Sequence, residues 1–182
     1  MGPKDLRYGN SLLADIVVVK DSMVNGEVSC LAGKKTEIGK NVMINAELLK
    51  FDTDNPELVV CPFAFTLGAF SGKGYPGAPV KTCDSCYPRI SKEMETIGMA
   101  LLHEYTHWNK LVSPVLTAPP SVMSTHDWID GAFKTRLEHG FIDAATARYN
   151  GDSYAWLANE IWWTQACAGS HGPLTAPLRG DN

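Results

Sequence analysis

LLHEYTHWNK, Leu101 to Lys110, sets two histidines four residues apart with a glutamate directly after the first. On a helix, positions i and i+4 share one face about one turn apart. His103 and His107 can then offer imidazole nitrogens to a single ion, with Glu104 projecting beside it. The competing reading is the solvated polar face of an ordinary helix. The flanking pattern favours the ion: Met94, Ile97, Leu101, Tyr105 and Trp108 follow helical spacing and form a core stripe on a different face. The spacing predicts a helix from about Ser91 to Leu111. Ser91 is its candidate N-cap, and Glu93 and Glu95 lie in the first turn, where they suit the dipole. Thr96 and Ala100 lie on the histidine strip and are small enough to leave a cleft.

Outward from this helix, a second is predicted from about Asp152 to Ala168. Asp152 is placed to cap it, and Leu157, Ala158, Ile161 and Trp162 form its apolar face. Tyr154 and Trp156 read as core. The segment from Thr117 to Phe141 begins as loop and turns helical near Phe133. The first half of the chain is turn-rich. Asn41 to Leu49 and Glu57 to Phe65 suggest short strands. Ser11 to Val19, interrupted by Asp15, reads as a strand or short helix, and Leu67 to Pro88, dense in glycine and proline, reads as loop. Strands early and helices late give an α+β class, with a small N-terminal sheet and a helical half carrying the HExxH helix. No linker divides residues 1–182, so one domain is expected; residues 1–4 have the look of a cloning remnant.

The 182 residues suffice to bury a core without metal or disulfide staples. A net charge of −4 without long runs of one sign gives no nucleic-acid footprint. No apolar stretch approaches the roughly 20 residues of a membrane span. The five cysteines (Cys30, Cys61, Cys83, Cys86 and Cys167) are an odd count, which leaves at least one thiol free or intermolecular. The CDSC stretch lacks the second CxxC of a zinc ribbon, and Tyr87-Pro88 follows where a redox motif opens a helix. Structural disulfides of an extracellular protein are the preferred reading.

The chemistry expected of HExxH is hydrolysis. Catalytic zinc takes three protein ligands and leaves a fourth position to water, whose pKa falls to about 7. Glu104 then acts as general base and afterwards as acid to the leaving amine. A thermolysin-like third ligand is a glutamate on a following helix, for which Glu138 and Glu160 are candidates. The metzincin pattern fails, because WNKLVSPV follows His107.

LLHEYTH together with GDSYAWLANEIWWTQAC (Gly151 to Cys167) resembles the aspzincins, fungal metalloendopeptidases of the deuterolysin and peptidyl-lysine endopeptidase type. LVVCPFAF upstream is similar to their preceding strand, and the likeness covers roughly Leu58 to Cys167. It implies a zincin-like fold with zinc and an aspartate third ligand from a GTxDxxYG-type motif. The nearest match is DGAF, Asp130 to Phe133, with Asp127 and Asp143 as the next candidates. The motif's Gly-Thr and final glycine are missing, and Phe133 stands where the family has tyrosine. Losing one oxyanion donor typically costs ~100-fold or more in rate; Tyr105, Tyr149 and Tyr154 are available substitutes. The resemblance also implies that Asp152 lines the pocket for the residue after the scissile bond and favours lysine there. The other role for Asp152 is the helix cap. His126, His139 and His171 have no ligand-spaced partner.

These readings converge on a secreted, monomeric zinc metalloendopeptidase acting on protein or peptide substrates. Zinc is expected on His103, His107 and Asp130, Glu104 is the catalytic base, and Asp152 and Phe133 lie toward substrate. Two alternatives stand beside it: a zinc-binding protein with little turnover, and an interaction or effector module on a zincin fold.

Overall fold

A computed structural model of the chain describes residues 17–19, 34–35, 41–42, 46–49, 54, 56–70, 77–112, 125, 131–136 and 147–177. Within them helices and small sheets mix, as the α+β expectation holds. Three short strands form the main sheet: β1 (Val17–Val19), β4 (Ala46–Leu49) and β5 (Glu57–Val60). β5 is central, parallel to β1 and antiparallel to β4, with Leu48 opposite Leu58. Along β4, Ala46 and Leu48 are buried while Glu47 and Leu49 are half-buried, the period of two that a one-sided strand requires. A two-stranded ribbon joins β2 (Lys34–Lys35) and β3 (Asn41–Val42).

The strand expected through Phe65 stops at Val60. Pro62 has no N–H for a ladder and opens a 3-10 turn, Pro62–Thr66, instead. The glycine-rich segment read as loop carries β6 (Ala69–Phe70) and β7 (Val80–Lys81), paired in parallel. Gly68 makes the approach possible: its φ is +77°, and a Cβ there would sit 2.4 Å from the Pro79 carbonyl oxygen.

The CDSC residues form a one-turn helix, α1 (Cys83–Cys86), held by a reciprocal cap between Thr82 and Ser85. Cys83 is bonded to Cys167, 84 residues away, rather than to its near neighbour. Cys61 is also in a disulfide, and Cys86 is a buried free thiol.

The helix expected from Ser91 to Leu111 is three pieces: a 3-10 turn at Lys92–Met94, α2 (Ile97–Tyr105) and α3 (Asn109–Val112). Two competing bonds explain the first break. The Met94 carbonyl accepts from Asn159 Nδ2 and Trp163 Nε1 instead of from its own helix, and the Thr96 hydroxyl accepts the Met99 N–H as the true cap of α2. Ser91 precedes the 3-10 turn and makes no side-chain cap bond.

After α4 (Ala132–Arg136), the long α5 (Gly151–His171) completes the frame. Its N-cap position is Asn150, and Asp152 lies inside the first turn, which corrects the expected cap. The apolar face is also corrected. Leu157, Ile161 and Trp162 are 58%, 50% and 42% exposed, whereas Ala155, Trp156, Asn159, Trp163 and Cys167 are buried. Asn159 belongs to the buried face because its amide spans to Met94, so counting apolar residues alone selects the wrong stripe.

α2 separates two cores. Leu101 and Tyr105 pack against Ala46, Leu48, Leu58 and Trp108 on the sheet side. Met99 packs on the other side against the cluster of Tyr87, Ile90, Met94, Trp156, Trp163 and Cys167. The chain after α5 returns to pair Thr175 with Arg89, and the Thr175 N–H donates to the Pro88 carbonyl at 2.8 Å.

Candidate metal centre

His103, in the last turn of α2, and His107, in the turn that follows it, fall between the residues that face the sheet and those that face α5. Each imidazole is fixed from behind. His103 Nδ1 lies 2.6 Å from Asp152 Oδ1, and the other oxygen of Asp152 accepts the Gly131 N–H at 2.8 Å. His107 Nδ1 lies 3.0 Å from the Thr125 carbonyl oxygen and 3.1 Å from its hydroxyl.

The hydroxyls near His107 settle the direction of these bonds. Thr106 Oγ donates to the His103 carbonyl at 2.7 Å, so the 2.7 Å contact between Thr106 and Thr125 is a donation from Thr125. Thr125 Oγ therefore faces His107 as an acceptor, as its carbonyl does, and the proton of that pair belongs to His107 Nδ1. An ionised Asp152 is likewise acceptor-only, which puts a proton on His103 Nδ1. With Nδ1 carrying the proton on both neutral rings, the two Nε2 atoms present lone pairs 3.3 Å apart.

Two lone pairs at that separation cannot bond to one another, and a cation relieves their repulsion. Nitrogens each about 2.0–2.1 Å from a tetrahedral ion lie about 3.3–3.4 Å apart. The spacing present is the spacing such an ion requires. With Glu104, the two histidines form a group whose ligand atoms all lie within 4.8 Å of one another and which could hold a metal ion. The residues fit the group they imply.

Glu104 is placed from the sheet. Its Oε2 accepts the Leu48 N–H of β4 at 3.0 Å, which fixes the carboxylate beside the imidazoles. Gly151 sets the distance between α2 and α5, since a Cβ there would meet Thr106 Oγ at 3.1 Å and the His103 ring at 3.2–3.4 Å. α5 is held to this region twice, by Asp152 on His103 near the end of α2 and by Asn159 and Trp163 on the Met94 carbonyl in the turn before it.

Among the other expected residues, Asp130, Asp127, Asp143, Glu138, His126 and His139 lie outside the described residues. Glu160 is paired with Arg136 and does not join the histidine group. Phe133 is half-buried in α4. The Tyr154 hydroxyl donates to the Arg148 carbonyl at 2.6 Å, and burial pushes its phenol up, so that donor stays engaged at neutral pH. The Tyr149 hydroxyl is buried without a partner among the described residues, and Tyr105 packs toward the sheet. His171 lies 3.4 Å from Asp84 at the surface.

Thr106, Thr125, Gly151 and Leu48 escaped the sequence reading. The small residue opening the last helix was a usable sign of close helix packing. Thr125, through its carbonyl and hydroxyl, and Leu48, through its backbone N–H, act across the fold and carry no local signal. No protein-family model, curated protein or solved structure matches the chain.

Proposed function

We propose that the chain is a zinc-dependent metalloendopeptidase of aspzincin type, with a zincin-like fold, acting on protein or peptide substrates. The observation that carries this reading is the pair of Nε2 lone pairs 3.3 Å apart, each imidazole oriented by an acceptor behind it. Metal-ligating histidines are held in this way, through a carboxylate or a carbonyl on the other nitrogen. His103 and His107 hold the ion. Asp130 is the third ligand in this reading, since its neighbour Gly131 is tied to Asp152 and through it to His103.

Zinc at this position supplies Lewis acidity to a carbonyl oxygen and to an attacking water. Glu104, its carboxylate held by the Leu48 N–H, would serve as general base to the attacking water and then as general acid to the leaving amine. Asp152 keeps the proton on His103 Nδ1 and holds the ring still. The disulfide between Cys83 and Cys167 supports a secreted protein, and no helix of the described residues is long and apolar enough to cross a membrane.

One observation favours a second reading, a metal-binding protein with little turnover. Phe133 replaces the tyrosine of the resembling motif, and the Tyr154 hydroxyl is already engaged. A peptide-library digest with zinc stoichiometry, run on the wild type and Glu104→Gln, separates the two. Zinc in both and cleavage only by the wild type is the result expected of the peptidase. Zinc in both without cleavage in either means the metal binder.

A further inference from the structure

A cleft of about 550 Å³ opens between the start of α2, the middle of α5 and β6. Its walls are Phe70, Ile97, Met99, Leu102, Ala158 and Trp162. The polar side chains in the lining, Thr96 and Asn159, are committed to the Met99 N–H and the Met94 carbonyl. No charged side chain lines it among the described residues. Phe70 and Trp162 meet edge to face at 5.0 Å, and Trp163 backs both, which makes a firm aromatic wall.

The lining of the cleft reaches Leu102, the residue before His103. Met99 precedes His103 by one turn on the same strip of α2, where side chains are about 5–6 Å apart. Ala155, also in the lining, follows Asp152 by one turn of α5. A peptide lying across the two histidines has this cavity about one helical turn away as a place to bury a side chain. Asp152, which the resemblance assigns to a lysine ammonium, has one oxygen on His103 and the other on Gly131. It is 8% exposed, which leaves little of its surface open to an ammonium.

We propose that this cleft is the specificity pocket of the metal centre and takes a large apolar side chain, aromatic or long aliphatic, of a peptide lying across it. The proposal rests on the peptidase reading for its biological meaning. Its physical basis is the match between an uncharged aromatic wall and apolar area removed from water. Full burial of a phenylalanine or leucine side chain is worth roughly 10- to 100-fold in binding. A lysine ammonium finds no counter-charge there and must stay in solvent.

The test uses zinc-loaded Glu104→Gln, which binds without turnover, titrated calorimetrically with blocked tetrapeptides differing at one position among Phe, Leu, Ala and Lys. In parallel, wild-type kcat/KM is measured on the same series. The Phe and Leu peptides should bind at least tenfold tighter than the Ala and Lys ones. Ala158→Phe, which fills the cleft, should abolish that preference with zinc content unchanged. Trp162→Ala, at an exposed wall, should reduce it and serves as the second variant if the first folds poorly. Equal binding of Phe and Lys peptides overturns the pocket, as does a preference that survives both substitutions. Cleavage with a lysine preference overturns the pocket and leaves the peptidase standing; selective binding without any cleavage does the reverse.

Discussion

Asp152, in the first turn of α5, holds its Oδ1 2.6 Å from Nδ1 of His103 on α2. One contact thereby joins the helix that carries His103 and Glu104 to the long last helix of the chain. It also orients the His103 ring so that Nε2 would face an ion, and removing it should be felt in metal binding before anything else. Asp152→Ala is expected to weaken zinc affinity by about 10- to 100-fold. Competition with a calibrated chelator measures this, and the ratio of one zinc per chain should return at saturating metal.

Gly151 precedes that aspartate and lets α5 approach the His103 ring. In Gly151→Ala the added Cβ meets Thr106 Oγ and the ring at 3.1–3.4 Å, and the neighbours must give by a few tenths of an ångström. The imidazole shifts relative to His107. Zinc affinity should fall, while far-ultraviolet dichroism stays unchanged because alanine is the better helix former.

The disulfide acts on a different quantity. Cys83 to Cys167 closes 84 residues and ties α1 to the far end of α5, well away from Asp152. Cys83→Ser should cost about 2–5 kcal/mol of stability by the chain-entropy argument. Denaturant unfolding measures that loss. Zinc stoichiometry of the folded variant should be intact, since the histidine face and its acceptors are untouched.

Bound metal should in turn stabilise the fold. An ion that binds only the folded chain adds about 2.7 kcal/mol at a hundredfold excess over its Kd. Chelation should therefore lower the thermal midpoint of the wild type and leave that of a His103→Ala, His107→Ala double variant unmoved.

The parts of the molecule that were legible in the sequence are those set by short spacing. His103, Glu104 and His107 come together because the last turn of α2 and the turn after it keep i and i+4 on one side, and Thr82 with Ser85 caps a turn within four residues. Bonds that cross the fold were not legible. The Met94 carbonyl breaks a helix that apolar periodicity would have continued, because Asn159 and Trp163 reach it from 65 and 69 residues away. Asn159 for the same reason makes a polar residue part of the buried face of α5, and the exposed Leu157 and Ile161 were misread as that face. The contact of Asp152 with His103 spans 49 residues, and no local pattern around Asp152 announces it.

The central claim is that two unprotonated Nε2 atoms 3.3 Å apart are a metal site. Elemental analysis after dialysis against trace zinc, on the wild type and on His107→Ala, tests it most directly. One zinc per wild-type chain and none retained by His107→Ala is the predicted result. No zinc in the wild type, or the same content in both proteins, would contradict the account.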